Sequence, residues 1–414
     1  MDLILRNALV DGKLTDVGIE DGVIARLEHD LEGTAKLELD AAGCLTVPAF
    51  VNGHLHACKS DWRAALLALH PDFDFTDMRA RFAGIARVKR GYTADDVLAR
   101  AERTVRLAVR HGTCALRLFA DVDADAGLRA LEGLLKLKVK YAGVVEIQVA
   151  AFPQNGVFSA ADRTTELMTQ ALQMGADVVG GIPWLEPTEG AQLAHIDLVL
   201  ELAQRYGKPA HFVLDDTDDA TSRTAEMVAA KVIALGMQGM VCGTQANALA
   251  YYDDAHAERV IRLLKAAGMT IFSNAHVALV TAAQRHQPAP RGHTRMLELM
   301  RAGVPVASAQ DDIDNPYYPF GRNDLLEVAQ YIAHLAPLAW GTQVDQTLEM
   351  VTHVPAKAIG LEGYGLSVGC QANILVLDAP NWYEAIKSQS EKNFVISRGQ
   401  LVSSSQRSTT LNLP

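Results

Sequence analysis

Along the middle of the chain one unit recurs: a short apolar, β-branched run, a few polar or glycine residues, then a longer stretch with helical periodicity. Strand cores are expected at 45–56, 113–122, 143–152, 176–184, 208–216, 239–245, 269–275 and 304–312. Helix-like segments such as HIDLVLELAQRYG and TRMLELMRAG lie between them and end on a glycine suited to a C-cap. Eight strand-and-helix units in succession predict an α/β protein built as a (β/α)8 TIM barrel.

The two ends break this rhythm. MDLILRNALVDGKLTDVGIEDGVIARLE and ANILVLDAPNWYEAIKSQSEKNFVISRGQLV read as strands joined by DG and RG turns. They could pair into one small β-sandwich domain formed from both termini, with residues 1–47 and 364–414 in that domain and 48–363 in the barrel. The segment from Cys58 to His111 is long for a connection between the first two strands. It contains Trp62, Phe73 and Phe75 and could cover the barrel mouth as a lid.

Composition narrows the function classes. With 414 residues, 49% hydrophobic and 21% charged, the chain can bury a large core as a soluble globular protein. A formal charge of -11 argues against a surface that neutralises nucleic acid phosphates or anionic lipid, so neither nucleic acid nor membrane is an expected partner. Five cysteines, widely spaced and without CxxC, fit reduced thiols in a cytoplasm. No run of 18 uncharged apolar residues suggests a membrane span, and the first residues lack a signal-peptide pattern.

Reactive groups of a barrel enzyme sit at the C-terminal ends of its strands. Those ends carry His54 and His56, Phe119 and Ala120, Gln154, Trp184 and Glu186, His211 with Asp215 and Asp216, Gln245, Asn274 and His276, and Asp311 with Asp312. His54 and His56 stand at i and i+2 of one strand, so both imidazoles face one side and could grip one metal ion. Lys59 and Cys58 read more readily as a solvated charge and a small buried hydrophobe than as reactive groups. Trp184, Tyr317 and Phe119 could wall in a flat ring, although core packing explains them nearly as well. A capping role for Asp312 is as plausible as a catalytic one, and His276 and His293 are read as satisfied loop residues.

The motifs FVNGHLH, VAAFPQNG, MGADVVGGIPWLEPT, LDDTDDATSR, PRGHTRMLEL, QDDIDNPYYPFG and GYGLSVGCQANILVL, in this order, resemble the cytosine deaminase branch of the amidohydrolase superfamily over nearly the whole chain. HLHACKS is also similar to isopropylammelide hydrolases, in which a lysine follows the histidine pair at this spacing. The resemblance implies one divalent metal, zinc or iron, held by HxH on the first strand, a histidine on the fifth, a histidine on the sixth and an aspartate on the eighth. His54, His56 and Asp311 match; the fifth-strand position is Val213 and the sixth is Gln245. Asp216 stands where the family has its acid/base glutamate, and Gln154 matches the glutamine that hydrogen-bonds the ring carbonyl of the substrate.

Valine cannot coordinate a cation and glutamine is a weak neutral ligand, so two imidazoles and one carboxylate remain, with His211 and Gln245 as candidate replacements. The resemblance therefore implies hydrolysis of a C–N bond in a small heterocycle or cyclic amide, with an atypical, depleted metal site. Asp311, Asp216 and His56 would carry catalysis; Gln154, Trp184, Phe119, Tyr317, Lys59 and Asp312 would bind substrate. No organic cofactor is expected, and a homo-oligomer fits the family. Two alternatives stay open: a metal-free enzyme using Asp311 and a histidine as acid and base for hydrolysis, elimination or tautomerisation, and a binding protein that kept the pocket and lost the reaction.

Overall fold

A computed structural model describes residues 1–73, 78–158, 163–281 and 291–412. Eight strands, Phe50–Leu55, Thr113–Asp121, Glu146–Phe152, Val178–Gly181, Ala210–Leu214, Val241–Gln245, Thr270–Phe272 and Val306–Ala307, pair in parallel and in sequence order. Each falls inside a segment expected to be a strand. The sheet is curled, and an isolated parallel bridge ties the end of its first strand to the segment after its last: Leu55 pairs with Asp311, His56 N–H donates to Asp311 C=O (2.8 Å), and Asp311 N–H donates to His54 C=O (3.0 Å).

A helix follows each strand, and its apolar face packs on the sheet. Local chemistry sets the helix ends. Thr93 and Asp96 form a capping box before Ala94–Arg110, while Gly207 and Gly303 take the left-handed conformation that closes Glu189–Tyr206 and Met296–Ala302.

The segment expected at 45–56 divides in two. Leu45–Pro48 leaves the parallel sheet and pairs antiparallel with Ile374–Leu377, and only Phe50–Leu55 carries the histidines. The terminal strands hydrogen-bond into one eight-stranded sheet in which Leu45–Pro48 sits between Leu3–Val10 and Ile374–Leu377, so both chain ends share one apolar cluster. Its hairpins turn at Asp11–Gly12, Asp21–Gly22 and Arg398–Gly399. Both central residues have positive φ in each, as a type I′ turn demands.

The long segment after Cys58 is helical, with Trp62–Leu69, Met78–Gly91 and Ala94–Arg110 following a short turn at Ala57–Lys59. Trp62 is buried against Tyr92 and Arg100, and Phe73 packs on the main core; Phe75 lies outside the described residues. Among the described residues no helix is long and apolar enough to cross a membrane.

Gly53 sits between the site's first histidine and the lower core. A Cβ there would lie 2.3 Å from the buried Phe272 ring. Gly53→Ala is expected to destabilise the fold by about 1–3 kcal/mol in denaturant unfolding through overpacking, with partial recovery on adding Phe272→Leu.

Candidate active site

Three ligand-type atoms converge where the first and last strands meet. His54 Nε2 lies 3.2 Å from His56 Nε2 and 3.3 Å from Asp311 Oδ1, and His56 Nε2 lies 3.5 Å from that oxygen. All three side chains are buried. Asp311 adopts φ 66°, a left-handed conformation that aspartate tolerates, in the segment after the last strand. Its Oδ2 accepts hydrogen bonds from Gln245 Nε2 (2.6 Å) and Asn274 Nδ2 (3.1 Å), which leaves Oδ1 facing the imidazoles.

These distances provide a test for an ion. Metal–ligand bonds of about 2.0–2.1 Å in tetrahedral geometry separate neighbouring ligand atoms by about 3.3–3.4 Å, and the three measured separations bracket that value. Two imidazoles and a carboxylate are also a donor set suited to a borderline divalent cation. The residues fit. Gln245 Oε1 is buried without a hydrogen-bond partner among the described residues, as an atom reserved for a further polar neighbour would be.

The other candidate replacement is engaged elsewhere. His211 lies one step deeper on its strand, its Nδ1 3.2 Å from Arg117 Nη1 and its Nε2 2.5 Å from Thr244 Oγ1, so neither nitrogen reaches the cluster. Val213 lies in an apolar wall with Phe119, Ala150, Phe152, Val178 and Ile182, on which Trp184 and Leu185 pack. Phe119 is fully buried, its ring 4.1 Å from the His54 ring and 5.3 Å from that of His56; it backs the histidines.

Beside this wall runs a buried ionic chain. Lys59 is 1% exposed, not a solvated charge. Its ammonium donates to Gln154 Oε1, lies 3.2 Å from Asp121 Oδ1 and stands over the Phe152 and Tyr317 rings. Lys89 bridges Asp121 (2.7 Å) and Asp123 (2.6 Å). Burial pushes the Asp121 carboxyl up, but the two ammonium groups outweigh it and hold the group below the usual carboxylate range. Asp121 could have been suspected from its place at a strand end. Lys89, distant in sequence on a helix, carried no signal.

Burial and the Asp311 charge raise two further carboxyls, Asp216 to about 7 and Asp312 to about 8. Asp216 accepts a hydrogen bond from Asn247 Nδ2 (2.8 Å), and Asp312 accepts one from Asn315. Burial, followed by the Lys59 charge, holds the His56 imidazole well below its ordinary value and therefore neutral. The Cys58 thiol is pushed up to about 12 by burial, so it is an inert small hydrophobe whose S–H meets Phe119 C=O. Glu186 accepts from the Val157 backbone and meets His195 at 2.7 Å, and His276 Nε2 meets Gln310 C=O at 3.1 Å; both serve the loops.

Residues 37–403 match the model of the amidohydrolase family. The chain is 29% identical over 409 residues to N-isopropylammelide isopropyl amidohydrolase of Pseudomonas sp. strain ADP, covering 97% of each. Among solved structures it is similar to 5-methylcytosine deaminase from Klebsiella pneumoniae liganded with 5-fluorocytosine, with 32% identity, a TM-score of 0.91 and 99% of each chain covered. N-isopropylammelide isopropylaminohydrolase from Burkholderia multivorans has 27% identity and a TM-score of 0.83, with 98% of this chain and 99% of that one covered.

Removing the shared cation should expose how much the ionic chain supports the site. Lys89→Met leaves Asp121 and Asp123 competing for Lys59 in a dry environment, and urea unfolding is expected to show a loss of about 3–5 kcal/mol.

Proposed function

The chain belongs to the amidohydrolase family, and from that premise we propose that it hydrolyses the exocyclic C–N bond of a small oxo-heterocycle bearing an amine or alkylamine. It is a hydrolase of carbon–nitrogen bonds other than peptide bonds. The observation that carries the reading is the convergence of His54 Nε2, His56 Nε2 and Asp311 Oδ1 at 3.2–3.5 Å beside a lysine and a glutamine suited to a ring carbonyl.

In this reading His54, His56 and Asp311 hold one divalent ion, zinc or iron. When bound, that ion supplies Lewis acidity and brings the pKa of water towards neutrality. Gln154 and Lys59 orient the ring carbonyl, and Lys59 offsets negative charge that develops on the ring during attack. Trp184 and Tyr317, both half-buried, flank the ring, and Asp312 lies within reach of its polar edge. Asp216, poised near 7, takes a proton from the attacking water and returns it to the leaving amine as the C–N bond breaks. Because Val213 presents an apolar face where the family has a histidine, Asp311 carries more of the burden of holding the ion.

The reading takes the curled sheet as a closed (β/α)8 barrel spanning 48–363, supported by the Leu55–Asp311 bridge. It takes 1–47 and 364–414 as a small β-sandwich, supported by the pairing of Pro48 with Ile374. The five unpaired thiols support a cytoplasmic setting, and the family resemblance supports a homo-oligomer.

One observation favours a second reading. Gln245 Nε2 donates to Asp311 at 2.6 Å, an arrangement stable without a cation and compatible with metal-free acid–base chemistry by Asp311 and a histidine.

Elemental analysis of protein purified without chelator is expected to find about one divalent ion per chain, and Asp311→Asn to lose it. Against a panel of amino- and alkylamino-substituted oxopyrimidines and oxotriazines, Asp311→Asn is expected to lower kcat/KM by roughly a thousandfold or more. Activity that survives exhaustive chelation and still falls on Asp311→Asn selects the metal-free reading. Asp216→Asn is expected to lower kcat by about 100-fold or more with the ion retained. Lys59→Met should raise KM and lower kcat together, and an unchanged kcat/KM would remove Lys59 from the site.

A further inference from the structure

Beneath the three ligand atoms runs a line of buried polar groups that the proposed chemistry does not use. Arg117, His211 and Thr244 are completely buried, and His54 is 1% exposed. Arg117 directs Nε and Nη2 at Gln148 Oε1 (3.0 and 2.8 Å) and Nη1 at His211 Nδ1 (3.2 Å), with Cys242 Sγ 4.0 Å away. No carboxylate pairs with Arg117 among the described residues. His211 Nε2 meets Thr244 Oγ1 at 2.5 Å, and that hydroxyl meets His54 Nδ1 at 3.2 Å.

Donor and acceptor roles along this line are not free. A guanidinium has no acceptor, so His211 Nδ1 must accept and its proton must sit on Nε2. His211 Nε2–H then donates to Thr244 Oγ1. The hydroxyl proton has one partner left among the described residues, His54 Nδ1; turned elsewhere, it would be a buried donor without an acceptor. His54 consequently accepts at Nδ1 and carries its own proton on Nε2, directed at Asp311 Oδ1 and His56 Nε2.

We infer that Arg117 sets a one-way run of hydrogen bonds, through His211 and Thr244, that fixes His54 as the Nε2–H tautomer in the ion-free protein and thereby opposes entry of the cation. The inference rests on the reading of His54, His56 and Asp311 as the groups that hold the ion. For His54 Nε2 to offer a lone pair, the proton must move to Nδ1, and Thr244 must then accept from both imidazoles with its own proton orphaned. Arg117, His211 and Thr244 are positioning residues: they touch neither substrate nor ion, and they decide which His54 nitrogen is available. Without Arg117, His211 could carry its proton on Nδ1 and accept from Thr244, which could then accept from His54 Nδ1–H, so every bond in the line would be made with the lone pair facing the site.

The primary test needs no variant. Imidazole 15N shifts of the ion-free full chain, with His54 assigned by loss of its signals in His54→Gln, should report Nε2–H. An Nδ1–H tautomer overturns the inference. Competition of the protein with a chelator for Zn2+ alone should give Arg117→Met an affinity roughly tenfold or more above wild type, the effect of removing one orphaned hydroxyl. Arg117→Lys should restore both the wild-type tautomer and the wild-type affinity. Removing a buried positive charge alone would also favour Zn2+, so the cycle is closed with the near-isosteric Thr244→Val: on that background the tautomer change on Arg117→Met must vanish, and its persistence overturns the inference. A wild-type protein that shows Nε2–H and binds no Zn2+ upholds the one-way run of hydrogen bonds while refuting the ion-holding reading, and with it the effect on the cation; one that binds Zn2+ and shows Nδ1–H upholds that reading and overturns the inference.

Discussion

Two backbone hydrogen bonds, from His56 N–H to Asp311 C=O and from Asp311 N–H to His54 C=O, hold the candidate site together. They join the first strand of the parallel sheet to the end of the last, residues more than 250 positions apart in the chain. Because Asp311 is locked between the carbonyl of one histidine and the amide of the other, its carboxylate must project where the two imidazoles already face. Ligand geometry here is a consequence of strand pairing, and the left-handed backbone at Asp311 is tolerated because that pairing leaves it no alternative. Gln245 and Asn274 then select which carboxylate oxygen looks inward.

Around that junction the interior is divided by polarity. On one side the apolar wall of Phe119, Phe152, Ile182 and Val213 packs behind the histidines, and burial keeps His56 neutral. On the other, two lysines and two aspartates occupy a dry region that only mutual neutralisation permits. Lys59 belongs to both: its ammonium is anchored by Asp121, while its remaining hydrogen-bonding capacity turns to Gln154 and the face of Tyr317. The same short turn after the histidines therefore supplies one residue with a buried charge and another, Cys58, that only fills space.

The residues at 213 and 245, where the resemblance implies histidines, have physical consequences of their own. Valine at 213 removes a donor and extends the apolar wall to the edge of the cluster, which strengthens every electrostatic interaction inside it. Glutamine at 245 exchanges a ligand for a donor that grips Asp311 from the side. On the proposed reading such a site stands between two forms, one organised by a cation and one by the carboxylate's own hydrogen bonds, and the inferred hydrogen-bond line below it would weight the balance between them.

The order of eight strands and helices was legible from the sequence, because hydrophobic periodicity reflects a local requirement, that each strand and helix bury one side. The HxH spacing and the DG and RG turns were legible for the same reason, since period two and positive φ are properties of neighbouring residues. The family motifs drew attention to Asp311, Asp216 and Gln154, and to Val213 and Gln245 where the resemblance implies histidines. What no local pattern carried was the division of 45–56 between two sheets, the helical character of the region after Cys58, and the burial of Lys59. Only tertiary structure decided that Lys59 meets Asp121, that Lys89 completes the chain, and that His211 is held by Arg117 and Thr244 below the cluster. Each of these depends on which distant side chains share a dry volume. In such a volume an unpaired charge or polar atom is expensive, so the fold decides each residue's role by the partners it brings to it.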